Sequence, residues 1–326
     1  MPPRGNLSAV RTRSAARSLS ARAHAQAHAP RSFLALGVQG PLSLRSQPSH
    51  SRPFWASPTR ASTGSSSAGK PGEEPLPPLP PRRWIAELRA RIGKCIIFGC
   101  DNQQISRAAA VLRALALEWK GLLAGSDGFL TGGRRGLDGQ KIAWGEMDSF
   151  GHVNNVNYYR YAESARVNWI TNFAVHVDPA HRQEWSELMS PKATGLIMRS
   201  LKADFKFPMV YPDQISVYHK LRSRPEGNPA PSAFTLDCIV LSHQHQRIAA
   251  RLEEDIVVYD YKAARKTGMP GFMLDLFHET YRLQEEETFK ARTRIWELIN
   301  MVDRLEKETW DRDDAVEDVG TAKAST

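Results

Sequence analysis

The chain has 326 residues, 41% of them hydrophobic, which is enough for a sizeable core in one or two domains. Its formal net charge of +9 suggests a nucleic-acid partner, but residues 1–72 hold ten of the 44 basic residues and no acidic one. The remainder has 34 basic and 35 acidic residues, so composition argues against nucleic-acid binding by the body of the protein. No run of 18 apolar residues occurs, and we expect no membrane span.

The N-terminal arm, residues 1–45, is rich in Arg, Ser and Ala and contains no acid, a composition typical of a mitochondrial transit peptide. Its apolar stretch at residues 33–36 is too short for the core of a secretory signal. We therefore expect a mitochondrial matrix location; the alternative is a disordered basic tail with another role. Residues 46–82 are dominated by Ser, Pro and Gly and are interpreted as a linker that buries nothing.

The three cysteines, Cys95, Cys100 and Cys238, are too few for a disulfide framework and suit a reducing compartment. Cys95 and Cys100 lie five residues apart, with no second Cys or His pair nearby. We interpret these two as small buried hydrophobes and predict no metal site from them.

Residues 83–130 are predicted to form a helical lead-in. Apolar residues recur at helical spacing from Trp84 to Ile92, and a second helix is predicted from about Ser106. Asp101, Asn102 or Ser106 could cap this second helix. Its apolar face is expected to comprise Ile105, Ala109, Leu112, Leu115, Trp119 and Leu122.

Residues 134–268 are predicted to form the main domain. A short strand, Lys141–Trp144, leads into a helix from about Asn154 to Phe173, whose apolar residues repeat at steps of three and four: Tyr158, Ala162, Ala165, Trp169 and Phe173. Four strands are predicted after it: Leu196–Phe207, Gln214–Arg222, Ala233–Ser242 and Ile248–Tyr261. One long helix against a mostly antiparallel sheet is an α+β arrangement. Residues 269–312 are predicted as a C-terminal helical extension and residues 313–326 as a flexible tail.

The segment from Trp144 to Arg166, WGEMDSFGHVNNVNYYRYAESAR, places Asp148 and His152 just before the long helix. A carboxylate beside a helix start suits attack on a carbonyl, because it supplies a base or nucleophile while unpaired N–H groups hold the oxyanion. The alternatives are a turn-forming role for Asp148 and a structural hydrogen bond for His152. Asn154 and Asn155 are expected to cap the helix.

The motif DSFGHVNNVNYYRYAESAR resembles that of the hotdog-fold thioesterases of the 4-hydroxybenzoyl-CoA thioesterase class, roughly Asp-x-x-Gly-His-Val-Asn-Asn, then Tyr, then Glu-x-x-Arg. The segment DFKFPMVYPDQISVYHKL is similar to the second and third strands of that family. The resemblance covers about residues 137–265. With the transit-like arm, the whole layout looks like that of a fungal mitochondrial member. It implies a hotdog fold, with one long central helix on a mostly antiparallel sheet, here with extra N- and C-terminal helices.

The resemblance also implies an activity, the hydrolysis of an acyl thioester of coenzyme A or of an acyl carrier protein, without a metal or redox cofactor. Asp148 would act as nucleophile or general base, the backbone N–H of Asn155 would hold the oxyanion, and His152 would support them. Phe150 occupies a position where related plant enzymes carry an Asn, so their full Asp/Asn/His arrangement is lacking here.

Candidate substrate-binding residues are Tyr158, Arg134 and Arg135. The alternatives are a core position for Tyr158 and a solvated loop for the two arginines. Glu163 and Arg166, three residues apart, are expected to form an ion pair on the helix.

The resemblance further implies an oligomer. A single hotdog unit leaves one sheet face and the helix side uncovered, and the family pairs two sheets edge to edge, so we expect a homodimer or a dimer of dimers. Because more than half of the chain lies outside the resemblance, the alternative function is a non-catalytic hotdog binding or structural module in a mitochondrial assembly. A third function to consider is that of a hotdog hydratase.

Overall fold

The computed structural model describes residues 75–317. The expected transit peptide, most of the expected linker and the end of the expected C-terminal tail lie outside these residues. Within this part of the chain, no helix combines the length and the apolar character that a membrane crossing requires.

The elements of the described chain follow one another as three helices, a strand, a long helix, a short helix, five strands and a final long helix. In order they are α1 (Trp84–Ile97), α2 (Asn102–Leu117), α3 (Trp119–Gly125), β1 (Leu137–Lys141), α4 (Asn155–Asn172), α5 (Arg182–Glu187), β2 (Thr194–Phe205), β3 (Gln214–Leu221), β4 (Ala233–Ser242), β5 (Arg247–Asp260), β6 (Arg265–Lys266) and α6 (Gly271–Thr309).

The strands form one antiparallel sheet in the order β1-β3-β4-β5-β2, with β6 added to β5. The helix α4 packs on this sheet through the face expected from its periodicity, since Tyr158, Ala162, Ala165, Trp169 and Phe173 are all buried. The expected α+β hotdog arrangement, with extra helices at both ends, is therefore confirmed.

Both faces of the sheet are covered within one chain. The face toward α4 contributes Val217, Cys238 and Leu252 to one core cluster. The opposite face buries Tyr218, Ile239 and Leu241 against the lead-in helices and the C-terminal half of α6. The expectation that one sheet face stays uncovered was wrong, because the helices outside the resemblance supply that cover.

The second lead-in helix, α2, buries a different side from the one that the sequence predicted. Asp101 caps α2 in a capping box: its Oδ1 accepts the Gln104 N–H at 2.7 Å, and the Gln104 side chain accepts the Asp101 N–H at 2.8 Å. Ile105 and Leu112, expected inside, are 52% and 37% exposed, while the buried side carries Ala108, Val111, Ala114 and Leu115. The predicted face was wrong for Ile105 and Leu112. Leu115 is buried as predicted, and so are Trp119 and Leu122, which lie on the separate helix α3.

The end of the expected linker is docked on the final helix. Pro80 is buried, and the carbonyls of Pro77 and Pro78 accept hydrogen bonds from Arg292 at 3.2 Å and Trp296 at 2.9 Å. The expectation that this stretch buries nothing was therefore wrong for Pro80, whereas Leu79 is 59% exposed as expected. A proline-rich chain has free carbonyls, and the helix supplies donors for two of them.

Two further local expectations were wrong. The first strand is Leu137–Lys141, and the predicted strand residues up to Trp144 instead run into a 3₁₀ turn, Trp144–Glu146. Arg166 lies 2.8 Å from the carboxylate of Glu254 on β5, so its ion pair crosses from helix to sheet and does not join Glu163 along the helix.

Candidate functional site

The segment between β1 and α4 folds as a tight hairpin with Asp148 near its tip. Met147 and Val153 form an antiparallel bridge, and the Asp148 N–H donates to the His152 carbonyl at 2.8 Å. The Gly151 N–H donates to the Asp148 carbonyl at 3.0 Å, and Gly151 has a φ of +73°, a conformation that glycine adopts without steric cost. The backbone thus brings Asp148 and His152 to adjacent positions.

One carboxylate oxygen of Asp148 is used by the hairpin itself. Oδ1 accepts the N–H of Phe150 at 2.9 Å, an Asx turn. Asp148 is half-buried and His152 is exposed. Among the described residues no hydrogen-bond partner is found for the His152 ring. The turn-forming role considered for Asp148 is therefore real, and it leaves the second carboxylate oxygen available to a substrate or a water molecule.

The start of α4 is fixed by its neighbours in the hairpin. The side chain of Asn154 accepts the Val156 N–H at 3.0 Å, which makes Asn154 the N-cap. Its own N–H donates to the Glu146 carbonyl at 2.9 Å, and the Asn157 side chain donates to the same carbonyl at 2.8 Å. The expected capping role is confirmed for Asn154.

Asn155 is the first residue of α4 and has no capping contact. Its backbone N–H finds no acceptor within residues 75–317, and the residue is exposed. The aligned peptide dipoles of the 18-residue helix place about half a positive charge at this end. An exposed, unpaired N–H at a positive helix end, seven residues after Asp148, can donate to an anionic oxygen.

Tyr158 lies one turn further along α4 and is 2% exposed. Its hydroxyl accepts the Met209 N–H at 3.3 Å, and burial raises the pKa of Tyr158. In the single chain Tyr158 therefore packs in the core, which was the alternative to a substrate-binding role. Burial also raises the pKa of Tyr161, and the nearby Glu146 carboxylate is the second cause of that shift.

Arg134 and Arg135 lie at the opposite end of the long helix. The Arg134 guanidinium sits 6.0 Å from the ring centre of Phe173 and donates to Thr280 Oγ1 at 3.3 Å, and burial lowers its pKa. The Arg135 carbonyl accepts from the Asn172 side chain at 2.8 Å. Because α4 spans about 27 Å at 1.5 Å per residue, one chain does not bring these arginines to Asp148.

Apolar side chains around the hairpin are exposed, a feature that the sequence did not reveal. Trp144 is 72%, Phe150 83% and Val156 60% exposed. Tyr159, on the first turns of α4, has its ring 6.4 Å from that of Phe205 on β2. Residue spacing predicts which residues share a face, but it does not say which face stays uncovered, so no sequence signal would have found this surface.

A second polar cluster joins the lead-in helices to the sheet. Ser216 Oγ donates to Asp138 Oδ1 at 2.7 Å and lies 2.8 Å from His243 Nε2, while Lys120 pairs with Asp138 at 2.6 Å. Burial acts to raise the pKa of Asp138, but Lys120 and Ser216 outweigh it and the pKa is lowered. The single hydroxyl proton of Ser216 therefore goes to the carboxylate, leaving the hydroxyl unactivated by the imidazole. Ser216 is also fully buried, so we interpret the cluster as structural.

A groove of about 370 Å³ borders this cluster, lined among others by Lys120, Asp138 and Tyr218. None of its lining residues belongs to the Asp148 hairpin. It therefore adds nothing to the candidate site, which is an exposed hairpin-to-helix junction on the single chain.

Several solved structures resemble part of the chain. The PA2801 protein of Pseudomonas aeruginosa, described as a candidate thioesterase, is 24% identical, with a TM-score of 0.35 over 43% of this chain and 95% of its own. A 1,4-dihydroxy-2-naphthoyl-CoA thioesterase from Synechocystis is 14% identical, with a TM-score of 0.35 over 43% and 93%. A DHNA-CoA thioesterase from Staphylococcus aureus is 14% identical, with a TM-score of 0.34 over 46% and 89%.

No curated protein sequence matches the chain. A family model does: it covers the hairpin, α4, the strands β2 to β6 and the start of α6. Residues 142–277, somewhat less than half of the chain, match the model of the Thioesterase-like superfamily.

Proposed function

We propose that the protein hydrolyses an acyl thioester, with acyl-CoA as the substrate class, at the junction of the Asp148 hairpin and α4. The observation that carries this proposal is that the exposed N–H of Asn155 has no acceptor within residues 75–317, and that the hairpin leading into this helix start carries Asp148, whose Oδ2 has no hydrogen-bond partner among the same residues. The match to the thioesterase-like family supports the same chemistry.

In this mechanism the thioester carbonyl oxygen accepts the Asn155 N–H, and the negative charge that develops on it is stabilised by the helix end. Asp148 takes a proton from water as the water oxygen attacks the carbonyl carbon, or attacks that carbon itself to form an anhydride that water then cleaves. The carbon–sulfur bond breaks in either route, and the thiolate leaves and gains a proton. His152, exposed at the same turn, would orient the substrate or the water.

The exposed apolar side chains around the hairpin suit the acyl part of such a substrate. Trp144, Phe150 and Val156 are each more than half exposed and belong to the hairpin or the first turn of α4. An acyl chain lying on them would be held within reach of Asp148 while its carbonyl meets Asn155. Burial of apolar area contributes roughly 25 cal/mol per Å² to such binding.

The decisive experiment measures thiol release from a panel of acyl-CoAs by residues 71–326. Asp148→Asn is expected to lower kcat by about 10²–10⁴, the usual contribution of a general base. Asp275→Asn, an exposed acid on α6, is the matched control and should leave the rate unchanged. If Asp148→Asn hydrolyses every substrate as fast as the parent, the assignment of Asp148 is wrong.

We propose a homodimer, or a dimer of such dimers, formed through the free edge of β2. This strand has 12 residues, all but one of them at least partly exposed, and among residues 75–317 it pairs in the sheet with β5 alone. A long unpaired edge is a template for another strand. Sedimentation should give twice the chain mass of 36.5 kDa or four times it. A monomer at micromolar concentration would contradict the proposal.

We propose a mitochondrial matrix location from the composition of residues 1–45. A fluorescent protein carrying residues 1–82 at its N-terminus should be imported and shortened. The same fusion with Arg11, Arg13 and Arg17 replaced by Glu is the control and should remain outside. Failure of the parent fusion to enter mitochondria would refute the location and would leave the enzymatic proposal unaffected.

The non-catalytic alternative has one observation in its favour. Ile105 and Leu112, two turns apart on one side of α2, are exposed apolar side chains outside the thioesterase-like region. Such side chains suit a docking surface for a larger assembly. Migration of the native protein with a large complex, together with no thiol release from any substrate, would favour this function over hydrolysis.

A further inference from the structure

Three buried side chains of different chemistry meet in the middle of the sheet, beneath α4. They are His219 on β3, Cys238 on β4 and Glu254 on β5, which are 1%, 1% and 0% exposed. One potential ligand atom from each lies within 4.8 Å of the other two. Charged residues are seldom fully buried without a partner, so the cluster calls for a physical explanation.

The sheet register puts these side chains together. His219 lies directly opposite Cys238 across β3 and β4, and Cys238 lies opposite Leu252 across β4 and β5. Glu254 is two residues beyond Leu252 and therefore points to the same face. His219 Nε2 is 3.3 Å from Glu254 Oε2. In a tetrahedral zinc site with bonds of about 2.0 Å to nitrogen or oxygen, neighbouring ligand atoms lie about 3.3 Å apart.

The polar atoms of the cluster are poorly satisfied by the protein itself. Both ring nitrogens of His219 and both carboxylate oxygens of Glu254 lack a hydrogen-bond partner among residues 75–317. Arg166 Nη1 is 2.8 Å from Glu254 Oε1, an ion-pair distance whose geometry makes no hydrogen bond. With Arg166 Nη1, five unsatisfied polar atoms lie at one buried place, which is unusual in a native core, and those of His219 and Glu254 are of the kinds that bind a metal ion.

The site offers two anionic ligands to a divalent ion. The Glu254 carboxylate is one, and its other oxygen pairs with Arg166. Cysteine binds a metal as the thiolate, so Cys238 would lose its proton on binding and supply the second negative charge.

We propose that His219, Cys238 and Glu254 bind a zinc ion, with one ring nitrogen, Sγ and Oε2 as ligands. Sulfur and imidazole donors are the ones zinc prefers, and three protein ligands leave one position for a water molecule. Arg166 pairs with the other oxygen of Glu254 and so orients the carboxylate that binds the ion. Binding forms the zinc–sulfur bond and releases the Cys238 proton to solvent.

This site is separate from the proposed hydrolytic site. Arg166 is eleven residues beyond Asn155 on α4, which places it about 16 Å along the helix axis. The ion would join β3, β4 and β5, three neighbouring strands, beneath the helix whose first residue carries the oxyanion donor. Its presence can be measured without any enzyme assay.

The test begins with the metal content of the full chain, expressed in zinc-supplemented medium and freed of loosely bound ions. Mass spectrometry of the metals should find about one zinc per chain. Protein refolded with Co²⁺ should show the visible bands of a tetrahedral ion and a thiolate-to-cobalt charge-transfer band. Cys95→Ser, another buried cysteine, is the control and should keep both signals.

Cys238→Ser should lose the charge-transfer band, and Arg166→Lys should weaken zinc binding by about 10–100-fold, the usual effect of a lost supporting contact. If a variant does not fold, the parent protein still decides the question through X-ray absorption, which should find one sulfur among the zinc neighbours. Less than roughly a tenth of an equivalent of zinc, cobalt or another divalent metal in the parent protein, before and after refolding with Zn²⁺, would refute the site.

Discussion

The buried ion pair between helix and sheet permits a quantitative prediction about stability. Glu254→Gln keeps the shape of the side chain but removes the charge that faces Arg166 at 2.8 Å. Glu254 is fully buried and the Arg166 side chain is 16% exposed, so water compensates little of the lost attraction. Breaking a buried pair by removing one partner costs about 3–5 kcal/mol, and we expect the free energy of unfolding to fall by that amount.

The measurement is urea unfolding followed by tryptophan fluorescence, at one protein concentration and with a chelator present so that metal binding does not contribute. Glu286→Gln is the matched control: its pair with Arg282 joins exposed side chains one helical turn apart on α6. This control should not change the unfolding free energy measurably, because exposed pairs are screened by water. If Glu254→Gln costs less than about 1 kcal/mol, the carboxylate does not compensate the guanidinium as the reasoning requires.

The same ion pair gives the stability a pH dependence of known sign. The folded-state pKa of Glu254 lies below its ordinary value of 4.5, so the unfolded chain binds the proton more tightly. The stabilisation is present above pH 4.5 and is lost as the pH falls through the folded-state pKa. The difference between parent and Glu254→Gln should therefore shrink on acidification, and a difference that grows would contradict the sign.

The remaining predictions concern the helix start and a close backbone contact. Asn154→Ala should lower the free energy of unfolding by about 1 kcal/mol through loss of the N-cap, and it should also slow hydrolysis. Asn154→Asp should keep the parental stability and rate. Equal melting temperatures for the parent and the two variants would refute the capping role. Gly136→Ala should destabilise by about 1–3 kcal/mol, because a Cβ there would lie 2.5 Å from the Val217 carbonyl and 2.7 Å from Ala165 Cβ. Gly132→Ala, which meets nothing within 4 Å, should melt like the parent.

Elements with one clear periodicity could be predicted from the sequence. The strand Ala233–Ser242 agrees residue for residue, and the buried side of α4 is the expected one. Both have a single apolar pattern, so local spacing and final burial coincide. The hairpin-to-helix junction was also placed correctly, because Gly151 and Asn154 carry the conformational and capping signals that define it.

Prediction failed where a segment offered two choices that only the tertiary structure decides. The helix α2 has apolar residues on two sides at helical spacing, and the larger ones, Ile105 and Leu112, are exposed while Ala108 and Val111 are buried. Arg166 has an acid nearby in sequence, yet it pairs with Glu254 on β5. Such long-range pairings leave no trace in periodicity, and the buried cluster under α4 was missed for that reason.

The distance between the two ends of α4 carries a consequence for the substrate site. Asp148 lies before the helix and Arg134 packs by Phe173 after it, about 27 Å away by helix rise. If Arg134 contacts the phosphates of the substrate whose carbonyl meets Asp148, the two residues must come from different copies of the chain. A dimer assembled from one Asp148→Asn chain and one Arg134→Ala chain distinguishes the two arrangements.

With shared sites, such a hybrid has one doubly altered site and one fully native site, so it should show half of the parental kcat at the parental KM. With sites built within one chain, neither site is native: the chain that keeps Asp148 lacks Arg134, and KM should stay as high as in Arg134→Ala alone. Differently tagged copies allow the hybrid to be purified. A raised KM in the hybrid would refute the shared site, and an Arg134→Ala homodimer with parental KM would remove Arg134 from substrate binding altogether.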